Sequence, residues 1–182
     1  REKVDRLLGT VASGGEGHPD DTNPYVIARE MGEEMNAACT VVKTEDRLAA
    51  CLEKIRSLEE RYTRVRLGDA AGWTNQSLSF TRALGDMLVL AELITLASIE
   101  RKESRGSHFR LDYPERDDER FLKTSVGVFD LDGRSHRIDW RDVDISLVKP
   151  RARTYGKTDA TSEPNGDPEK TVPPSERVAS VK

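Results

Sequence analysis

Thr44-Glu45-Asp46-Arg47-Leu48-Ala49-Ala50-Cys51-Leu52-Glu53-Lys54-Ile55-Arg56-Ser57-Leu58-Glu59-Glu60-Arg61-Tyr62-Thr63-Arg64-Val65 sets the architecture of the chain. Its apolar positions Leu48, Cys51, Leu52, Ile55, Leu58, Tyr62 and Val65 recur at alternating steps of three and four, which lays one stripe along an α-helix. Thr44-Glu45-Asp46 opens that helix. Between the apolar positions run Arg47, Glu53, Lys54, Arg56, Glu59, Glu60 and Arg61, a mixed-sign face that reads as solvated support for the helix rather than a binding surface.

Toward the N-terminus, Ser13-Gly14-Gly15-Glu16-Gly17-His18-Pro19 is a loop by composition. Asp21-Thr22-Asn23-Pro24 then starts a helix, with Asn23 as cap and Pro24 at the first helical position. Ile27, Met31, Met35 and Ala38 fall on one stripe of it. Toward the C-terminus, a break from Gly68 to Gly72 precedes a third helix expected from Thr74 to Arg105. It carries Leu78, Ala83, Leu84, Met87, Leu88, Ala91, Leu93, Ile94, Ala97 and Ser98, so it is broad-faced and largely buried. Three such helices pack as an up-down-up bundle, the third buried on more than one side.

Beyond Gly106 the pattern turns extended. Lys123 to Asp130 and Ser135 to Trp140 flank Asp132-Gly133, the strongest short hairpin signal. A lone hairpin is marginally stable, so this one should lie against the bundle or another chain. Thr158 to Lys182 holds four prolines and no aromatic residue and reads as a disordered tail. The expected organisation is mainly α: residues 1–23 as the end of a preceding domain and a linker, 24–106 as the bundle, 107–157 as extended link, hairpin and basic segment, and 158–182 as the tail. Arg1 stands where an initiator methionine would, inside a charged helical run, which suggests a piece of something longer.

The 182 residues, 36% hydrophobic, 34% charged and 5% aromatic, amount to one domain with a thin aromatic core. Met87 to Ile99, the longest apolar stretch, is broken by Glu92 and Thr95 and falls short of the roughly 18 residues a bilayer span needs. Direct membrane insertion is not expected. Nor is nucleic acid a partner, because the net charge is −4 and the basic runs Arg61 to Arg66 and Lys149 to Arg153 lack stacking aromatics. Cys39 and Cys51 form neither a disulfide framework nor a Cys-x-x-Cys pair, which fits a reducing cytosol.

No self-contained active site is legible. His18, His108 and His136 lack metal-ligand spacing, Gly15-Glu16-Gly17 lacks the lysine and preceding strand of a phosphate loop, and Ser77, Ser79 and Ser104 sit in no nucleophile elbow. Catalytic, cofactor-binding and metal-ligating residues are therefore each expected to be absent. The densest polar segment runs from Arg101 to Glu119. Arg101, Lys102 and Arg105 suit the negative end of a helix, and Gly106 suits its closing left-handed residue. Helix termination does not explain the next residues, where His108 and Arg110 alternate with Phe109 and Leu111. That alternation reads as a basic docking edge formed by Arg105, His108 and Arg110. Lys149, Arg151 and Arg153 read as a second candidate docking segment, anchoring the chain end to its own complex.

Glu103-Ser104-Arg105-Gly106-Ser107-His108, Asp112 to Asp118 and Phe121-Leu122-Lys123-Thr124 together resemble the C-terminal domain of the succinate dehydrogenase and fumarate reductase flavoprotein subunits. The resemblance extends back through Thr40-Val41-Val42, Asp46-Arg47-Leu48, Trp73-Thr74-Asn75-Gln76 and Phe80-Thr81-Arg82. It runs forward through Asp142-Val143-Asp144 and Leu147 to Arg151, covering roughly Tyr25 to Tyr155. L-aspartate oxidase and adenylylsulfate reductase share the bundle, but the hairpin and Lys149-Pro150-Arg151 favour the succinate and fumarate enzymes. The resemblance implies an enzyme only when joined to missing domains: hydride transfer between succinate and FAD, then electrons to an iron-sulfur subunit and quinone. It implies that FAD is bound by upstream domains, that this chain braces the flavin-binding domain of the same parent, and that membrane anchor subunits hold the complex on the inner face of the cell membrane. No flavin-linking or substrate-holding residue of the family has a match here. A free-standing helical module that binds a partner and catalyses nothing is one alternative, and an L-aspartate oxidase-like flavoprotein is the alternative enzyme.

Overall fold

The computed structural model describes residues 2–9, 20–69, 71, 73–130, 135–148, 150 and 151. The chain divides into two compact units, residues 1–144 and 145–182. In the first, helix α1 (Glu2–Leu8) is followed by a 3-10 turn (Asp20–Thr22), helix α2 (Pro24–Ala38), strand β1 (Val42–Lys43), and the helices α3 (Glu45–Tyr62) and α4 (Gln76–Glu100). Then come strand β2 (Phe109–Arg110), the short helix α5 (Asp118–Phe121), and strands β3 (Lys123–Asp130) and β4 (Ser135–Asp142). The described residues of the second unit are exposed and in no helix or strand.

The three long helices start where local chemistry places them. Asn23 accepts a hydrogen bond from Tyr25 N–H and Pro24 occupies the first turn of α2. The Thr44 hydroxyl accepts from Arg47 N–H at α3, and Asn75 accepts from Leu78 N–H at α4. Each side chain satisfies a backbone donor that the first helical turn leaves unpaired. Two ends differ from the sequence expectation. Thr74 has φ of 56°, a left-handed conformation no helical residue adopts, so α4 starts after it. Arg101 leaves the helix with ψ of 89°, so α4 stops well short of Arg105. Gly106 does take a positive φ of 61°, but it closes the tight turn in which Arg105 and His108 exchange backbone hydrogen bonds of 2.8 and 3.1 Å.

The core is the seam of the bundle. Ile27, Met31 and Ala38 of α2, Cys51, Ile55 and Leu58 of α3 and Leu84, Leu88 and Ala91 of α4 form one buried cluster with Val65. Each large side chain among them contributes about 1.5–3 kcal/mol of hydrophobic stabilisation. The charged face of α3 is only partly solvated. Lys54 and Arg61 each lie 2.7 Å from Glu30 of α2, and Arg47 lies 3.2 Å from Glu34. Spacing within α3 could not reveal these partners, because they sit on another helix.

The antiparallel pair β3 and β4 runs in register from Lys123 opposite Asp142 to Asp130 opposite Ser135. The Asp132-Gly133 turn expected from the sequence lies outside the described residues, as does the expected tail. The hairpin packs on α4: a Cβ added at Gly127 would stand 3.1 Å from a methyl of Leu93, so glycine lets the strand lie close to the helix. A second pairing had no sequence signal. β1 and β2 pair in parallel, Val42 opposite Phe109 and Lys43 opposite Arg110.

The Glu30 carboxyl is held at about 2, below its ordinary 4.5, by hydrogen bonds from Arg61 and Lys54. A depressed carboxyl pKa stabilises the fold above the unfolded value and loses that contribution as pH falls through the folded one. The thermal midpoint should therefore drop between pH 4.5 and 2, and a Glu30→Gln variant should start lower and lose less across that window. Parallel calorimetric curves for the two proteins would contradict this.

Candidate functional site

Arg110, expected on a docking edge, points inward. The β1–β2 register sets the alternation of this segment, and it turns Phe109 and Leu111 outward and Arg110 into the protein, where it is 0% exposed. The expected edge is thus corrected here: the alternation exists, with its polarity reversed, because a period of two defines two faces without saying which one is buried. The guanidinium forks onto Asp112, Nε to Oδ1 at 2.8 Å and Nη2 to Oδ2 at 2.6 Å. Nη2 also meets Glu45 Oε2 at 2.5 Å, and Nη1 donates to the Ser98 carbonyl at 2.8 Å.

These partners place the cation at the negative C-terminal end of α4, where carbonyls lack helical donors. Asp112 completes the arrangement by accepting the Glu45 N–H at 3.0 Å, which caps the positive N-terminal end of α3. One Arg-Asp pair therefore bridges opposite poles of two helices. Hydrogen bonds from Arg110 hold the Asp112 carboxyl down at about 2, and Asp112 in turn raises Arg110.

Arg105 and His108 are also engaged within the chain. Glu103, fully buried, accepts from Arg105 Nε and Nη2 at 2.9 Å each, from Arg101 Nη1 at 2.6 Å and from Asp117 N–H at 3.0 Å. Burial alone would raise its pKa, but Arg105, the Asp117 amide and Arg101 outweigh that and hold it ionised. Arg105 reaches on to Asp118 at 2.7 Å. His108 Nε2 lies 3.0 Å from the Arg101 carbonyl; since a carbonyl only accepts, this nitrogen carries the proton. Burial lowers the His108 pKa, so the ring is neutral and presents no basic surface. Arg101 ties the cluster to the hairpin through the Phe121 and Lys123 carbonyls, with its guanidinium 4.8 Å from the Trp140 ring centre. Lys149 and Arg153 lie outside the described residues, and Arg151 lies exposed in the second unit.

One arrangement has no motif in the sequence. His136 Nδ1 lies 2.5 Å from Glu92 Oε2, whose other oxygen accepts from Arg56 Nε at 2.9 Å. The available signal was Glu92 itself, a lone carboxylate in an apolar helical run that needs a partner when buried. His136 borders a cavity of about 670 Å³. Among the described residues, no group of three or more histidines, cysteines and acids could hold a metal ion.

The chain's capacity for a flavin can be tested on these features. A flavin dinucleotide carries a diphosphate, which dinucleotide folds place at a helix N-terminus following a strand. Here the helix following β1 is α3, and its N-terminus is already occupied by the Asp112 carboxylate and flanked by Glu45 and Asp46. The cavity sets Glu2, Glu59, Glu60 and Asp86 against Arg6 and Arg56, which repels a diphosphate. The described residues do not fit the cofactor.

The family model described as "Fumarate reductase flavoprotein C-term" matches residues 28–155. The chain belongs to this family. It is 42% identical over 135 residues to a succinate dehydrogenase flavoprotein subunit of Bacillus subtilis, covering 74% of this chain and 23% of that protein. It is 39% identical over 132 residues to a fumarate reductase flavoprotein subunit of Escherichia coli, covering 71% and 22%. Among solved structures, E. coli quinol fumarate reductase superposes with a TM-score of 0.75 at 35% identity, over 86% of this chain and 26% of that one. The chain thus spans about a quarter of the length of the curated relatives it matches, as the C-terminal domain of the flavoprotein subunit.

In this flavoprotein C-terminal domain, removing the Arg110 cation leaves Ser98 without its donor and Asp112 beside Glu45. Breaking a buried pair costs about 3–5 kcal/mol. Glu45 and Asp112 keep 42% and 29% of their side-chain surface in solvent and can be rehydrated. Arg110→Met should therefore cost about 3 kcal/mol, the lower end of that range. Arg110→Lys should recover less than half of the loss, because an ammonium cannot fork onto Asp112. Denaturant midpoints for the two variants check this, and equal stability of Met and wild type would contradict it.

Proposed function

We propose that this chain serves as the C-terminal domain of an enzyme subunit that interconverts succinate and fumarate through FAD held by other domains of its parent. Electrons then pass to an iron-sulfur subunit and to quinone, and membrane anchor subunits hold the complex on the inner face of the cell membrane. The observation that carries this reading is the family match across residues 28–155 in a chain whose described residues provide no flavin cradle. The relatives named above are succinate dehydrogenase and fumarate reductase subunits more than four times the matched length. Among the described residues no helix is long and apolar enough to cross a membrane, which agrees with attachment through partners.

The role assigned to this domain is to brace the flavin-binding part of the same parent, and the surface for it is on α4. Thr81, Leu84, Leu88, Ala91 and Thr95 face the bundle, and Leu93 meets the hairpin. A third stripe of Ala83, Met87, Leu90 and Ile94, at steps of four, three and four, faces outward, with Leu90 57% exposed. Its occupant is the flavin-binding part of the parent, because some three-quarters of each relative lies outside the matched region. Lys149, Arg151 and Arg153 are assigned to contacts with the remainder of the complex.

Two measurements test the reading. The native polypeptide carrying the Glu103 to Asp118 peptide should be much heavier than 20.4 kDa and bear flavin absorbance; a colourless chain of this size would instead support a free-standing binding module. In the parent, Leu90→Asp with Ile94→Asp should speed proteolytic release of the C-terminal domain at least tenfold and lower flavin retention. Unchanged release would remove α4 from the interface.

A further inference from the structure

Met35, Cys39, Cys51 and Thr95 meet where the end of α2 rests against α3 and α4. Thr95 Oγ1, which is 2.8 Å from the Ala91 carbonyl, lies 3.5 Å from Cys39 Sγ and 3.8 Å from Cys51 Sγ. Cys51 Sγ also lies 3.9 Å from Met35 Sδ. Cys51 is fully buried, whereas Cys39, just past the end of α2, is partly open to solvent. Two cysteines distant along the helices thus share one hydroxyl.

The neighbouring cation is the second observation. Lys43 is buried, and its ammonium donates only to the uncharged carbonyls of Thr40 and Val41 among its described hydrogen bonds. Burial lowers the Lys43 pKa, and a negative charge on Cys39 opposes that shift. The neighbouring Cys51 thiol, the Thr95 hydroxyl and the Lys43 ammonium lower the Cys39 thiol to about 6 from an ordinary 9. Cys39 and burial push Cys51 up. Cys39 is thus the more exposed and more acidic member of the pair and Cys51 its buried neighbour at the same hydroxyl, the division of labour that sulfur redox sites use.

We infer that Cys39 and Cys51 form a peroxide-responsive dithiol that closes to a disulfide between α2 and α3. The Cys39 thiolate attacks one oxygen of hydrogen peroxide; the O–O bond breaks and hydroxide leaves. Sulfur is oxidised to the sulfenic acid and the peroxide is reduced. The Cys51 sulfur then attacks Cys39 sulfur, the S–O bond breaks, and the hydroxyl leaves as water with the Cys51 proton. Two thiols have lost two electrons, one peroxide has gained them, and the end of α2 is fastened to α3.

The test uses the intact parent flavoprotein, reduced, exposed to hydrogen peroxide, alkylated and cut with trypsin. Cleavage at Arg29, Lys43, Arg47 and Lys54 separates the cysteines into the peptides Glu30 to Lys43 and Leu48 to Lys54. The expected product is these two peptides joined and lighter by two hydrogens, restored to separate peptides by dithiothreitol. Cys51→Ala should stop at a dimedone-reactive Cys39, and Cys39→Ala should leave Cys51 reduced. The wild-type peptide decides the matter even where a variant folds poorly. Both cysteines remaining alkylatable after peroxide, Cys39 passing to sulfinic acid without a cross-link, or a cross-link to any other cysteine would each overturn the inference.

Discussion

A buried guanidinium fixes where the helices of this domain begin and end. Taking an isolated cation out of water costs several kcal/mol, and only well-aimed acceptors offset that. Arg110 finds them in the last turn of α4, the first turn of α3 and the Asp112 carboxylate two residues on. No single element supplies this set. The two-residue pairing of β1 with β2 exists to deliver the arginine to the place where both helix poles are within reach, and that pairing is too short to hold by itself. If the register of Arg110 opposite Lys43 slipped by one residue, Phe109 or Leu111 would enter a pocket lined by carboxylates and carbonyls. The arginine therefore specifies register more than it adds stability.

What was legible in the sequence follows from the range of the forces involved. Asn23 and Thr44 cap the helices they precede, and the stripe from Leu48 to Leu58 is buried, because capping and amphipathic periodicity operate within a few residues. The motifs around Arg105 and Asp112 identified the family, which the match over residues 28–155 bears out. The end of α4 was not legible, because Arg101 abandons the helix for carbonyls some twenty residues along the chain. The destination of Arg110 was hidden for the same reason: Glu45 is 65 residues away in sequence. A four-residue alternation states a period, and long-range partners decide its polarity.

Charge and apolar surface are distributed against the usual pattern. Arg110, Glu103, Lys43 and Glu92 are buried, while Val42, Leu90, Ile94 and Leu111 are exposed. A free-standing domain does better with the reverse, since buried ions need exact partners and exposed apolar side chains forgo burial. The buried ions here are answered by oppositely charged neighbours on other segments or by backbone carbonyls, so they orient elements. The exposed apolar residues have no such answer within the described residues, and α4 collects several of them on one stripe.

That asymmetry explains what so many charged residues do in this domain. Arg101, Glu103 and Arg105 join the end of α4 to the hairpin, while Arg110 and Asp112 join it to the start of α3, so α4 is fixed at one end from two sides. A helix clamped in this way presents its outer stripe as a rigid surface. Rigidity matters for bracing, because a surface that need not be ordered on contact loses less conformational entropy when it docks. The motif that marks the family is, on this account, a clamp on the helix proposed above to face the rest of the parent, and its polar residues contribute through the geometry of that helix.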